Sequence, residues 1–265
     1  MNHSLLKKRL EMVGVSEVRW LDCTDSTNED ATVWAEEGAL DGALIGAEEQ
    51  LRGRGRFDRR WYTPRSSGLA FSLILRPSAE EFGFIQLFSG LGGVAVCCAL
   101  EKMLNLHPQV KWPNDVLLSG KKVSGILAET LWEPSKVQGG SIPKAVILGI
   151  GINIAPSSIP PANVLHMPAT CAEDEFGQPV DRIDLLAQVI EQLFHWRPLL
   201  GRKPFMRAWE ERLAWRGEEV QLDLPTRPTI VGTLEGLSED GQLCLRTADG
   251  NLMNVTAGEI SLRKA

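Results

Sequence analysis

The chain has 265 residues, of which 43% are hydrophobic and 23% charged, and a formal net charge of −6. That length and balance suit one globular domain with a small appendage and exclude disordered and fibrous classes, while the acidic excess argues against nucleic acid as the main partner. No uninterrupted apolar run reaches the roughly 20 residues of a membrane span; the longest candidate, Phe82 to Leu104, is interrupted by Ser89, Gly90, Gly92, Gly93 and Glu101.

In chain order, Lys7, Lys8 and Arg9 are followed by no apolar core, so no secretory signal is predicted. Glu17–Asp22 reads as a strand. Ser26 and Glu29 have the spacing of a capping box, and Ala31, Trp34 and Ala35 form one helical face that stops at Gly38. Ala43–Ala47 reads as a buried strand, and the alternation of Leu69, Phe71, Leu73 and Leu75 as a half-buried one. Phe84–Asn105 is predicted to be a long helix broken or kinked at its internal glycines. Asp115–Leu118 and Val123–Leu131 suggest a hairpin around Ser119–Lys122. Glu133–Pro143 reads as a loop, Lys144–Ile154 as a buried strand, and the prolines from 156 to 168 as a long loop. Helices are expected at Asp181–His195 and Pro204–Leu213. Beyond Ala214, short strands alternate with turns at Glu239-Asp240-Gly241 and Ala248-Asp249-Gly250, the pattern of a small β unit. The expected division is therefore 1–213 and 214–265.

Metal chemistry is poorly supported, because His3, His107, His166 and His195 have no partners at ligand spacing and no Cys-x-x-Cys is present. Five cysteines without paired spacing (Cys23, Cys97, Cys98, Cys171, Cys244) fit a reducing cytoplasm. Four segments carry chemistry. In Gln50–Trp61, arginines alternate with glycines. Six arginines fall between 52 and 65, and they suit forked recognition of an anion while the glycines admit it to the backbone. Lys111-Trp112-Pro113-Asn114-Asp115 holds a cation, an amide and a carboxylate on a proline-stiffened turn. Lys121-Lys122-Val123-Ser124-Gly125-Ile126-Leu127 sets a lysine before a strand whose Gly125 lets a ligand approach. Gly149-Ile150-Gly151-Ile152-Asn153 is a small-residue strand ending in an amide. Each of these has an ordinary structural reading when taken alone.

Together with Asp25-Ser26-Thr27-Asn28, their order and spacing resemble the motifs of biotin protein ligases, from about residue 17 to the end of the chain. The resemblance implies an α+β fold, a mixed sheet flanked by helices with a small C-terminal SH3-like barrel. It implies an enzyme that uses ATP and Mg²⁺ to make biotinyl-5′-adenylate and passes the biotin to a lysine of a biotin carboxyl carrier domain of a biotin-dependent carboxylase. Ser26, Thr27 and Gln50 would then hydrogen-bond the ureido ring, with Asn28, Gly55, Gly125 and Ile126 in the same biotin site and the backbone at Gly53 and Arg54 covering it. Arg56 and Lys122 would hold the carboxylate and then the α-phosphate, and Asp115 would sit beside the reacting centre. Lys111, Asn114 and Asn153 would serve the nucleotide, and Trp61 would close the arginine loop. No protein metal site is expected, since Mg²⁺ would enter with ATP.

Relatives that act as repressors carry an N-terminal winged helix. About 20 residues precede the first motif here, against roughly 35 for three helices, so no DNA binding and no membrane association are expected, and a homodimer is allowed. Two alternatives stay open: a ligase for lipoate or octanoate, and a catalytically silent biotin sensor.

Overall fold

In the computed structural model of the chain, residues 2–57, 59–135, 139–161, 163, 165, 167–224, 227–256 and 261–264 are described. Helix α1 (His3–Met12) is capped by Asn2, whose side chain accepts from the Leu5 N–H. Strand β1 (Val18–Leu21), helix α2 (Thr27–Glu36) and strand β2 (Ala43–Ala47) form a β–α–β unit with parallel strands. The strands β3 (Gly68–Leu75), β4 (Gln109–Lys111), β5 (Asp115–Leu118), β6 (Lys121–Pro134) and β7 (Ser141–Asn153) complete a seven-stranded sheet of order β1-β2-β3-β7-β6-β5-β4. Every pairing in it but the first is antiparallel.

The sheet is covered on both faces. Ala31, Trp34 and Ala35 of α2 pack on Ala43, Ile45, Ile74 and Ile147. On the other face, helices α3 (Phe88–Leu104) and α5 (Arg182–Trp196) lie on Leu69, Phe71, Leu73, Leu148 and Ile150, with α1 against α5. All eight residues of β3 are therefore buried, against the half-buried strand expected from alternation. The polar member of the inner row, Ser72, points at α2, and an alternating pattern cannot tell a helix-covered face from a wetted one.

Other expectations are corrected. The capping box does not form. Ser26 is the extended N-cap residue but makes no capping hydrogen bond, and the next N–H, that of Thr27, donates to Gln50 Oε1. The predicted long helix is a 3₁₀ turn at Phe82–Leu87 running into α3, with its one non-helical residue at Phe84, ahead of the glycines. Gly90 and Gly92 do not kink α3; they let the Trp209 ring and Ile126 press against its backbone. By length and composition the continuous helical segment Phe82–Leu104 would reach across a membrane, a reading its interrupted sequence argued against. Here it is the central core helix. Of the expected loop Glu133–Pro143, residues 133–134 and 141–143 are instead the ends of β6 and β7, Ser135, Gly139 and Gly140 lie outside the strands, and 136–138 are outside the described residues. Helices α1 and α4 (Ala172–Phe176) carried no clear signal. The β5–β6 turn is tight, with Ser119 and Gly120 both at positive φ.

After α6 (Lys203–Glu211) come β8 (Glu219–Leu224), β9 (Arg227–Leu237), β10 (Leu243–Thr247), β11 (Leu252–Val255) and β12 (Ser261–Lys264), an antiparallel sheet of order β11-β10-β9-β8-β12. Its inner residues Val220, Leu222, Leu234, Leu243 and Leu245 join the same core as α3. The connecting residues 212–214 run along the outside of β4, with the Val110 N–H donating to Arg212 O and the Ala214 N–H to Val110 O.

Candidate active site

Residues 48–67 leave the end of β2 as an arm that doubles back on itself. The Gln50 N–H donates to Thr63 O, Trp61 N–H to Gly53 O and Gly55 N–H to Arg59 O. The arm is thus ordered, with Phe57 at positive φ near its tip and Asp58 outside the described residues. Its stem is pinned by Glu48, 3% exposed, which accepts from Trp20 Nε1, Ser66 Oγ and Arg182 Nη2, all at 2.9 Å. Burial opposes ionisation of Glu48, but these donors outweigh it and hold the carboxyl down at about 2. Arg182 also donates to Gly68 O, so one ion pair ties the entry and exit of the arm to α5.

Under the arm lies a cavity lined by all the residues named from the sequence except Gly53, whose role is to receive the Trp61 backbone. At one end, beside α2, the polar groups are neutral and mutually bonded. Gln50 Oε1 accepts from the Thr27 N–H at 2.9 Å, with Thr27 Oγ1 3.1 Å away. Ser72 Oγ lies 2.8 Å from Thr27 Oγ1 and 2.6 Å from Asn28 Oδ1. Asn28 Nδ2 donates to Glu129 Oε2 at 2.7 Å, and Arg54 closes the end by donating to Glu129 Oε1 at 2.8 Å. Both polar ends of Asn28 are therefore taken by protein, and the Arg54 guanidinium sits on the rim.

The floor is made by β6 and β7, where Gly125 pairs with Gly151 and Leu127 with Gly149. The Trp61 ring lies flat against this floor; a β-carbon at Gly151 would overlap it, and one at Gly125 would come within 3.1 Å. Only glycine permits that approach.

At the other end the cations collect. Lys122 Nζ lies 2.5 Å from Asp115 Oδ1 as an ion pair and 5.5 Å from the Trp61 ring centroid. Arg56 donates to Asn114 Oδ1 at 3.2 Å, while Asn114 Nδ2 donates to Ile126 O, which fixes the turn. Burial pushes the Arg56 guanidinium and the Lys111 ammonium below their ordinary values, with Asp115 working the other way on both. Asn153 donates to Thr170 O from the end of β7. The turn carrying these groups holds Pro113 in a cis peptide bond, and Trp112 Nε1 donates to Gly241 O of the C-terminal unit. Among the described residues no cluster of His, Cys, Asp or Glu is arranged to hold a metal.

Sequence reasoning missed Ser72, Glu129, Glu48 and Arg182. Ser72 was visible as a polar residue inside an apolar strand and Glu129 as an acid in a strand of mixed polarity, but Arg182 lies 134 positions from the carboxylate it pairs with.

A neutral, hydrogen-bonding end joined by a glycine floor to a cation cluster defines an acid-activating enzyme: one end holds the body of a small molecule, the other neutralises a carboxylate brought against phosphate. The chain belongs to the biotin/lipoate A/B protein ligase family, whose profile matches residues 20–153; that of the biotin protein ligase C-terminal domain matches 217–263. It is 33% identical to a biotin–[acetyl-CoA-carboxylase] ligase of Paracoccus denitrificans over 89% of this chain and 97% of that one. It is 31% identical to the bifunctional ligase/repressor of Bacillus subtilis over 91% and 72%. The biotin protein ligase of Aquifex aeolicus, solved in complex with biotin and ATP, superposes with a TM-score of 0.78 at 32% identity, covering 94% of this chain and all of that one.

Proposed function

We infer that this chain is an ATP-dependent biotin ligase: it condenses biotin with ATP to biotinyl-5′-adenylate and then delivers the biotin to a lysine of a biotin carboxyl carrier domain. The observation that carries this reading is the continuity of one cavity from Thr27 and Gln50 to Arg56, Lys111 and Lys122. In the first step the biotin carboxylate attacks the α-phosphorus of ATP and pyrophosphate leaves. Two anions must meet, so Arg56 and Lys122 neutralise them and stabilise the charge that gathers on the α-phosphate. Mg²⁺ enters on the nucleotide.

Lys122 exchanges its contact with Asp115 for the incoming anion, which frees the carboxylate to orient the acceptor lysine in the second step. Orientation ranks above proton abstraction, because a carboxylate is a weak base near neutral pH. Lys111, Asn114 and Asn153 serve the nucleotide side, and Ser26, Thr27 and Gln50 the ureido ring. The arm, ordered over the floor with Trp61, excludes water from the mixed anhydride.

Residues 1–213 form the catalytic unit and 214–265 the C-terminal one. The partner is a carrier domain, with neither DNA nor a membrane required. Five free cysteines suit a cytoplasmic location, and a homodimer is compatible with this reading.

The test is biotin-dependent ATP–pyrophosphate exchange, run beside lipoate and octanoate. Exchange with biotin alone is expected. Exchange with lipoate or octanoate instead would reassign the substrate, and biotin binding without exchange would make the protein a silent sensor.

A further inference from the structure

The hydrogen-bond polarity of the neutral end of the cavity is set by a residue outside the ring-binding set. Glu129, paired with Arg54, is a carboxylate and only accepts hydrogen bonds. Asn28 must therefore turn its Nδ2 to Glu129, at 2.7 Å, and its Oδ1 to Ser72, at 2.6 Å. The amide oxygen has no proton, so the single hydroxyl proton of Ser72 lies on that contact. The 2.8 Å contact between Ser72 and Thr27 is then made by the Thr27 proton. The contact of the same hydroxyl with Gln50 Oε1 is longer, at 3.1 Å. Thr27 Oγ1 has committed its only proton to Ser72 and offers lone pairs alone to the cavity. Gln50 Oε1, which accepts from the Thr27 N–H, offers the same. The position of the Asn28 oxygen also depends on residue 149, where a β-carbon would overlap it.

We propose that Glu129 is a specificity-determining positioning residue: through Asn28 and Ser72 it fixes the hydroxyl of Thr27 as an acceptor, so that this end of the cavity selects a ring that presents N–H donors. The inference rests on the biotin reading above and deepens it. A cyclic urea supplies such donors and a dithiolane ring supplies none, so the device rejects a neighbouring acid on polarity as well as on shape. A site built to pair with an N–H leaves its acceptors unpaired against an analogue lacking that group, which is the strongest discrimination available to a small pocket.

In Glu129→Gln the carboxylate that dictates the sense of the Asn28 amide is gone, and the long 3.4 Å contact of Nδ2 with Leu127 O opposes a flip only weakly. The introduced amide would donate to Asn28 Oδ1, Asn28 Nδ2 to Ser72 and Ser72 to Thr27, and the released Thr27 proton would turn to Gln50 Oε1, 3.1 Å away, taking the acceptor capacity that a ring N–H needs there. Ser72→Ala breaks the same relay at its middle and frees the Thr27 hydroxyl to rotate.

The experiment is calorimetric titration of the full chain and both variants with biotin and with the two cyclic carbamates in which one ring N–H or the other is replaced by oxygen. The wild-type protein is expected to prefer biotin. In each variant the ratio of carbamate to biotin dissociation constants should fall by at least about tenfold for one of the two isomers. A variant in which both affinities drop together, leaving the ratio unchanged, would show a merely structural role and overturn the proposal. Should Glu129→Gln fail to fold, Ser72→Ala decides alone. A wild-type protein that binds no biotin would instead overturn the reading of the pocket on which the proposal depends.

Discussion

Beside α2, the side chains of Thr27, Gln50, Ser72 and Asn28 hydrogen-bond one another and are closed off by Glu129 and Arg54. At the head of β5, Arg56, Lys111 and Lys122 gather round one carboxylate, Asp115. The first end is preorganised and close to neutral: its groups are already in place, so a ligand gains there by fit and by hydrogen-bond polarity. The second end carries more positive charge than it can neutralise, and burial makes that charge costly, as the lowered values of Arg56 and Lys111 record. On the proposed roles, the ring end would govern affinity and selectivity and the cationic end the chemical step, where negative charge accumulates.

That division can be broken most sharply at Lys122. Lys122→Ala should slow adenylate formation by the ~3–4 kcal/mol typical of losing a preorganised electrostatic group, while biotin affinity changes much less. Equal losses in pyrophosphate exchange and in biotin binding would erase the distinction between the ends. The stem that carries both comes next. Glu48 has an ordinary value of 4.5 and is held at about 2 in the folded protein. Its stabilisation is therefore complete above about pH 4.5 and is lost as the pH falls from there towards about 2. Glu48→Gln should lose on the order of 3 kcal/mol of stability near neutral pH, together with that part of the acid limb of denaturant-unfolding profiles. A variant with the wild-type acid limb would show that the stem is held by other contacts.

A smaller effect is expected on the floor. Gly151→Ala sets a β-carbon into the Trp61 ring, and the overpacking cost of about 1–3 kcal/mol should appear as weaker biotin binding rather than as a lower melting temperature, because the arm can lift while the sheet cannot. Equilibrium titration and thermal melting of one preparation separate the two. The smallest is a pH effect at the charged end. Burial lowers the Lys111 value below 10.5, so Lys111 loses its proton earlier than an ordinary lysine as pH rises, and nucleotide affinity should weaken on that alkaline limb. The same sign makes loss of that proton favour the folded state. Lys111→Arg should shift the limb upward; an unmoved limb would place the titrating group elsewhere.

The division between the ends was partly legible in the sequence. The cationic end was, because Arg56, Asp115 and Lys122 fall in short motifs with unusual residue types, and the C-terminal unit was, because its turns carry glycine where positive φ is needed. The neutral end was legible only in part. Thr27 and Gln50 lie in recognisable motifs, but the residues that orient them do not. Ser72 occupies one step of an otherwise apolar strand and Glu129 one step of a mixed one, and alternation cannot say which facing helix will meet them. The start of α2 shows the same limit: no capping box forms there, while the Thr27 N–H is taken from 23 positions away by Gln50, a tertiary contact that local spacing does not encode. The glycines of α3 misled in the opposite direction, suggesting a break where the backbone only admits a close neighbour.

The hydrogen bond from the Trp112 indole to Gly241 has a consequence for how the two parts of the chain can change. Trp112 stands at the base of the turn that carries Asn114 and Asp115, and Gly241, at positive φ, is packed against Leu87 and Trp209. The C-terminal sheet lines no part of the cavity itself but holds from behind one residue that does, Trp112. Severing it would strand an indole N–H in an apolar layer, and an insertion in the β9–β10 turn would act directly on the support of the turn that carries Asn114 and Asp115.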